Sequence, residues 1–268
     1  MLSLFIRDSA VKLFGLVAKL GLQRLPLFNR AFLALYAIYK EHFEAGPIDR
    51  LEEFVPAGSL VIDVGANVGF FTLRFARWVG DRGKVIAIEP EDRNYASLLA
   101  AIEREGFSGR VEPLKAVAAA TPGEILLEIN PVHPADHKIS RDGTGLPVQA
   151  VTLDRLVLDK AGLRPALVKI DVQGAEMMVL KGAAGLLGSA QPALFIELDE
   201  AALNRFGSSI TAILDHLLGY GYEPHWLART GAPRKTNPTE IHAAAGRSGY
   251  IDVLFLKARL PGNPAPPQ

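Results

Sequence analysis

Val61-Ile-Asp-Val-Gly-Ala-Asn-Val-Gly-Phe70 is an apolar run that meets an acid and then breaks into a glycine-punctuated turn. Val61, Ile62 and Val64 have the continuous apolar character of a parallel strand buried on both faces. Gly65 and Gly69 let the chain turn sharply and leave bare backbone against which a ligand can lie. Lys84-Val-Ile-Ala-Ile-Glu89-Pro90 repeats the strand-then-acid form. Glu89 falls roughly 20 residues beyond the loop, where a nucleotide-binding fold carries the carboxylate for ribose hydroxyls. The two stretches together predict a nucleoside cofactor at the tips of the first two strands.

The identity of that cofactor follows from spacing and charge. A dinucleotide fingerprint begun at Gly65 needs glycines at positions 67 and 70, which are Asn67 and Phe70. A pyrophosphate at a helix N-terminus also disfavours a carboxylate beside it, and Asp63 supplies one. S-adenosylmethionine has no phosphate and carries a sulfonium and an ammonium, so it suits an acidic loop. A nicotinamide-dependent oxidoreductase is therefore the disfavoured alternative. A plainer account also stands, in which Asp63 caps the helix beginning near Phe70 and the glycines only make a tight turn.

With 268 residues, 49% of them hydrophobic, the chain is long enough for one α/β domain with additions. The absence of cysteine excludes disulfides, thiolate zinc sites and a cysteine nucleophile, and fits a cytoplasmic location. Twenty-nine basic residues balance 29 acidic ones with no basic block, which argues against a nucleic acid partner and for a small-molecule or glycan substrate. Oligomeric state leaves no mark in the pattern.

Residues 1–46 are apolar but interrupted by Arg7, Asp8, Lys12, Lys19, Arg24 and Arg30, so no run reaches the about 18 residues of a spanning helix. They also lack the cleavage pattern of a secretory signal. Val11, Phe14, Leu16, Val17 and Leu20 suit one side of an amphipathic helix, and Phe32, Leu33, Leu35, Tyr36 and Tyr39 another, with Pro26 between. This N-terminal helical extension reads as plain packing, as a lid, or as a peripheral membrane contact for a lipid-linked acceptor. Residues 47–258 form the main domain, and the Pro-rich tail 259–268 has the composition of a disordered segment.

Buried-strand patterns fall at 60–64, 84–89, 111–117, 167–172, 193–198, 222–227 and 251–257, with helices near 69–79, 92–105, 174–187 and 208–219. This rhythm predicts an α/β fold with a doubly wound, seven-stranded, mostly parallel Rossmann-like sheet. The last two strands are joined by polar, Pro- and Gly-containing residues without a clear helix, which predicts an antiparallel edge hairpin. Between residues 118 and 165 the rhythm breaks into two short strands, 123–129 and 148–153, around a polar loop from His133 to Gly145. Long insertions at the mouth of an α/β sheet are often functional.

Leu167-Val-Lys-Ile-Asp-Val-Gln-Gly-Ala-Glu176 places Asp171 at the carboxyl end of another strand and Glu176 in the first turn of the next helix, both facing the expected site. With Asp63-Val-Gly-Ala-Asn-Val-Gly69, Ile88-Glu-Pro90, Thr152-Leu-Asp154 and Leu180-Lys-Gly-Ala183, this stretch makes the chain resemble the FkbM family of S-adenosylmethionine-dependent methyltransferases over about residues 47–257. The resemblance implies a class I methyltransferase fold and O-methylation of a hydroxyl on a sugar, glycan, lipid-linked or natural-product acceptor. It implies that Asp63, Gly65, Ala66, Asn67 and Gly69 cradle the methionine part, that Glu89 and Pro90 meet the ribose, that residues around Val117 border the adenine, and that Asp171 faces the cofactor. Gln173 departs from the family, where a Glu is common.

An acceptor hydroxyl needs help in losing its proton, which a His, Asp or Glu within hydrogen-bond reach can give. His137 in the inserted loop is the first candidate base, with Asp171 and Glu176 as alternatives, although Asp136-His137 also reads as an exposed polar pair. Asp171 with Glu197 or Asp199 offers oxygen ligands to Mg²⁺, a possibility that helix capping explains more simply. His216, His225 and His242 lack metal-ligand spacing. A cofactor-binding scaffold without catalysis is the remaining alternative of a different class.

Overall fold

The computed structural model describes residues 48–128, 138–140, 143–158, 163–228 and 230–258. The chain divides between Arg50 and Leu51 into two units, and the architecture below is that of the second. The expectations for residues 1–46, for the tail 259–268 and for His137 lie outside the described residues.

In chain order the elements begin with β1 (Leu60–Val64), α1 (Phe70–Trp78), β2 (Lys84–Ile88), α2 (Asp92–Arg104) and β3 (Val111–Leu114). The insertion supplies β4 (Val117–Ala118), β5 (Gly123–Glu128), β6 (Lys138–Ile139), β7 (Leu146–Val151) and the short α3 (Leu153–Leu158). Then come β8 (Pro165–Ile170), α4 (Glu176–Lys181), β9 (Ala193–Asp199), α5 (Glu200–Arg205), α6 (Ile210–Gly219), β10 (Tyr222–Trp226), β11 (Arg234–Lys235), α7 (Pro238–Ser248) and β12 (Tyr250–Lys257).

The main sheet has the order β11-β10-β12-β9-β8-β1-β2-β3. Its centre is parallel, as expected: β1 pairs with β2 and β8, and β8 with β9, all in the same direction. Every residue of β1 is buried, because helices cover both faces of a parallel sheet. The expected antiparallel edge hairpin is present as β10 and β12, with an added β11, and β12 lies between β9 and β10, antiparallel to both. The link between β10 and β12 contains α7, a helix that the sequence reading does not contain. Its start is marked by Asn237-Pro-Thr-Glu240: the Asn237 side chain accepts the Glu240 N–H at 3.0 Å, and Pro238 opens the first turn.

Two further departures position the site. The expected strand 111–117 stops at Leu114, and β4 leaves to pair with β7 in a separate four-stranded sheet, β4-β7-β5-β6. Pro113, which cannot donate to a ladder, sits where β3 forms the edge of the main sheet. The expected helix 174–187 is likewise cut short after Lys181 and continues as a π-helical turn, Leu186–Ala190. At Gly182 an added Cβ would lie 2.0 Å from the Ala119 carbonyl oxygen, so the insertion is pressed directly against the end of α4.

Candidate cofactor and acceptor site

The loop after β1 is bound to its neighbours by backbone. Gly65 and Ala66 both donate N–H bonds to the Ile88 carbonyl, each at 3.0 Å. Gly65, Asn67 and Gly69 take positive φ of 78°, 51° and 97°. The sequence reading leaves bare glycine backbone for a ligand, yet protein fills both places: a Cβ on Gly65 would lie 1.9 Å from the Asp171 carbonyl oxygen, and one on Gly69 3.0 Å from Leu98. The glycines here let the loop close against the tip of β8 and against α2.

Glu89, one residue beyond β2, is 4% exposed and fastens that loop: Oε2 accepts the Asn67 N–H at 2.8 Å and Oε1 the Glu91 N–H at 3.0 Å. Burial pushes its carboxyl up to about 6, against the lowering pull of those N–H donors. The Glu91 side chain caps α2 through the Asn94 N–H at 2.8 Å.

Asp63 and Lys169 are register partners across β1 and β8, so their side chains share a face of the sheet. Asp63 is fully buried; Oδ2 accepts the Thr72 hydroxyl of α1 at 2.6 Å, which ties the helix to β1, but no side chain caps the N-terminus of α1, so the cap of the plainer account is not formed. Its Oδ1 has no hydrogen-bond partner and lies 3.6 Å from the Lys169 ammonium. Burial raises the Asp63 carboxyl, opposed first by the charge of Lys169. The same ammonium donates to the Gly65 carbonyl at 2.9 Å and lies 3.4 Å from Asp171 Oδ2. Sequence reasoning assigned Lys169 no role. The available signal was a lysine inside a strand otherwise apolar enough to be buried on both faces, where a charge requires partners.

Asp171 and Glu197 follow the last registered residues of β8 and β9, Ile170 and Ile196, and so end adjacent strand tips. Gln173, held at a positive φ of 55°, donates its amide to Asp171 Oδ1 at 3.2 Å and to Glu197 Oε1 at 3.3 Å. A glutamate here would set a third carboxylate beside those two; the amide instead bridges them. Glu176 is drawn inward, 2% exposed: its Oε1 accepts N–H bonds from Val172 at 3.2 Å and Gly174 at 3.1 Å, clasping the loop that presents Asp171 and Gln173. Burial pushes the Glu176 carboxyl up to about 7. Asp199 caps α5 by accepting the Ala202 N–H at 2.9 Å. Among the described residues, no group of three or more His, Asp or Glu side chains is placed to hold a metal ion.

The inserted sheet walls the other side. Val117 is buried with Leu127 and Val148 in a small apolar cluster of its own. A cavity of about 220 Å³ lies between this sheet and the tip of β2, lined by Pro90, Leu127, Val148 and Gln149 and rimmed by Asp92 and Lys115, which form an ion pair. Asp154 ties the insertion to the π-helical turn, accepting the Gly185 N–H at 2.9 Å and the Leu186 N–H at 2.8 Å. The Asp63, Glu89 and Asp171 carboxylates gathered near the Lys169 ammonium, with Glu197 beyond Gln173, fit a cationic ligand and oppose a phosphate, and the partly apolar cavity beside Pro90 fits a flat base.

The sheet order and its antiparallel edge make this a doubly wound α/β protein of the class I methyltransferase type. Residues 63–224 match the Methyltransferase FkbM domain, and the chain belongs to that family. It is similar to the hexuronic acid methyltransferase AglP of Haloferax volcanii, 31% identical over 128 residues that make up 47% of this chain and 51% of AglP. The solved structure of methyltransferase FkbM from Methylobacillus flagellatus KT is similar at 17% identity and a TM-score of 0.48, covering 82% of this chain and 53% of that one. An O-methyltransferase from Bacillus cereus in complex with SAH is similar at 14% identity and a TM-score of 0.41, covering 79% of each chain. This chain therefore spans about half the length of AglP and of the M. flagellatus protein.

Proposed function

We propose that this chain transfers a methyl group from S-adenosylmethionine to a hydroxyl of a sugar acid or a glycan containing one. The observation that carries the reading is the set of acids Asp63, Glu89 and Asp171 at the ends of the neighbouring strands β1, β2 and β8, in a chain of the FkbM family. The cofactor supplies a carbon already activated on a sulfonium, so the protein has to align two reactants and exclude water. The loop from Gly65 to Gly69 borders the methionine part, Glu89 and Pro90 the ribose, and Val117 with the adjoining cavity the adenine. The acceptor lies over Asp171, Gln173 and Glu197. A hexuronic acid is the favoured acceptor because AglP, the curated relative, is named for one.

Asp171, with its side chain 27% exposed, is better placed than Glu176 to take a proton from an acceptor. Glu176 is buried, with Oε1 spent on its own loop, and serves as a positioning residue. His137, in the inserted loop, is the other candidate base. A peripheral membrane contact through residues 1–46 would suit a lipid-linked acceptor; among the described residues no helix is long and apolar enough to cross a membrane.

The deciding experiment combines calorimetric titration with S-adenosylmethionine and S-adenosylhomocysteine and a labelled-methyl transfer assay on uronic acid glycosides and matched neutral sugars. Binding of both ligands with transfer to the uronic acid is expected, as is a loss of about 10²-fold or more in turnover for Asp171→Asn or His137→Ala, whichever is the base. Binding without transfer to any acceptor would support the non-catalytic scaffold, and no binding would remove the reading.

A further inference from the structure

The buried ammonium of Lys169 has more contacts than anchoring a strand requires. It ties the end of β1 and the loop that follows, through Asp63 at 3.6 Å and the Gly65 carbonyl at 2.9 Å, to the tip of its own strand β8, through Asp171 at 3.4 Å. The Phe71 ring lies beneath it, 5.0 Å from Nζ to the centroid. Its side chain is only 4% exposed, and a buried ion pair is by itself weak evidence for stability, since well-packed apolar residues often do as well. The other carboxylate oxygens nearby already have donors of their own: Thr72 for Asp63, and Gln173 for Asp171.

We propose that Lys169 is a positioning residue that sets the charge of the donor site, cancelling one strand-tip carboxylate and pinning Asp171 beside Gly65, so that a sulfonium is held without being trapped. The inference rests on the methyltransferase reading above. Its physical basis is that methyl transfer discharges the sulfonium. Negative potential that favours the charged donor more than the transition state lowers the rate, because only interactions that strengthen toward the transition state accelerate it. At an effective dielectric of about 20, one unit of charge changes the preference for a cation over its neutral analogue by about tenfold at roughly 12 Å and by more at shorter range.

The readout is the ratio of S-adenosylmethionine to S-adenosylhomocysteine affinity, measured by calorimetry at pH 8 on the full chain, for wild type, Lys169→Met, Asp63→Asn and the double variant. Lys169→Met is expected to raise the preference for the charged ligand by about tenfold or more while turnover falls. Asp63→Asn is expected to lower that preference, and the double variant, whose formal charge equals that of wild type, to restore it. If Lys169→Met does not fold, the comparison of Asp63→Asn with the double variant carries the same test. A ratio unchanged across the folded variants, or affinities for both ligands falling in parallel, overturns the proposal and leaves Lys169 a packing residue. Failure of wild type to bind either ligand is a different result, which removes the methyltransferase reading and this inference with it.

Discussion

At the scale of single residues, the acids singled out by the sequence divide into those that touch the crevice and those that build it. Asp171 remains partly exposed, whereas Asp63, Glu89 and Glu176 are at most 4% exposed and bonded to loops and helices around them. Glu176 shows what this costs. Its carboxyl titrates at about 7 in the folded chain against an ordinary 4.5, so between those pH values the folded state holds a proton that the unfolded state has released. Stability attributable to this group therefore falls as pH rises through that window, by on the order of 3 kcal/mol. Glu176→Gln keeps an acceptor for the Val172 and Gly174 N–H groups but cannot ionise. Denaturant melts at pH 5 and pH 8 should show wild type losing that much more stability than the variant. Gly65 is constrained differently: Gly65→Ala puts a methyl group 1.9 Å from the Asp171 carbonyl. We expect loss of S-adenosylhomocysteine binding by calorimetry, together with a destabilisation of about 3 kcal/mol or more.

At the scale of elements, the insertion is fixed to the domain by specific caps. Asp154 satisfies two N–H groups at the start of the π-helical turn, and Gly182 admits Ala119 against the end of α4. Asp154→Ala should lower stability by about 1–2 kcal/mol, as loss of a helix cap does, while leaving donor affinity within about twofold. Thermal melts and calorimetry on the same samples check both halves of the expectation. Elements with strong periodicity were legible in the sequence, and β1, β2, α1, α2 and α6 lie within a residue or two of their expected spans. The short α5 and the longer α7 were not, although each carried a capping residue, Asp199 and Asn237. In α7 only Ile241 and Ala245 are buried, too few apolar positions to stand out as a stripe.

At the scale of the whole molecule, the proposed crevice draws on β1, β2, β8, β9 and the inserted sheet, so a ligand that bridges them should stabilise the fold cooperatively. S-adenosylhomocysteine at 100 times its Kd should add about 2.7 kcal/mol to unfolding stability, seen as a concentration-dependent rise in Tm. The sequence by itself determined the parallel α/β core, the glycine loop, the acidic strand tips and the family, because each is written in local patterns: apolar runs of strand length, glycines at turns and acids where strands end. Only the tertiary structure decided that Lys169 lies between Asp63 and Asp171, that Gln173 bridges Asp171 and Glu197, and that Glu176 turns inward. The insertion of β12 between β9 and β10 was settled there too. Local pattern cannot specify these, because each depends on which strands become neighbours and in what register, and pairing across a separation such as the 104 residues between Gly65 and Lys169 is fixed by how the whole core packs.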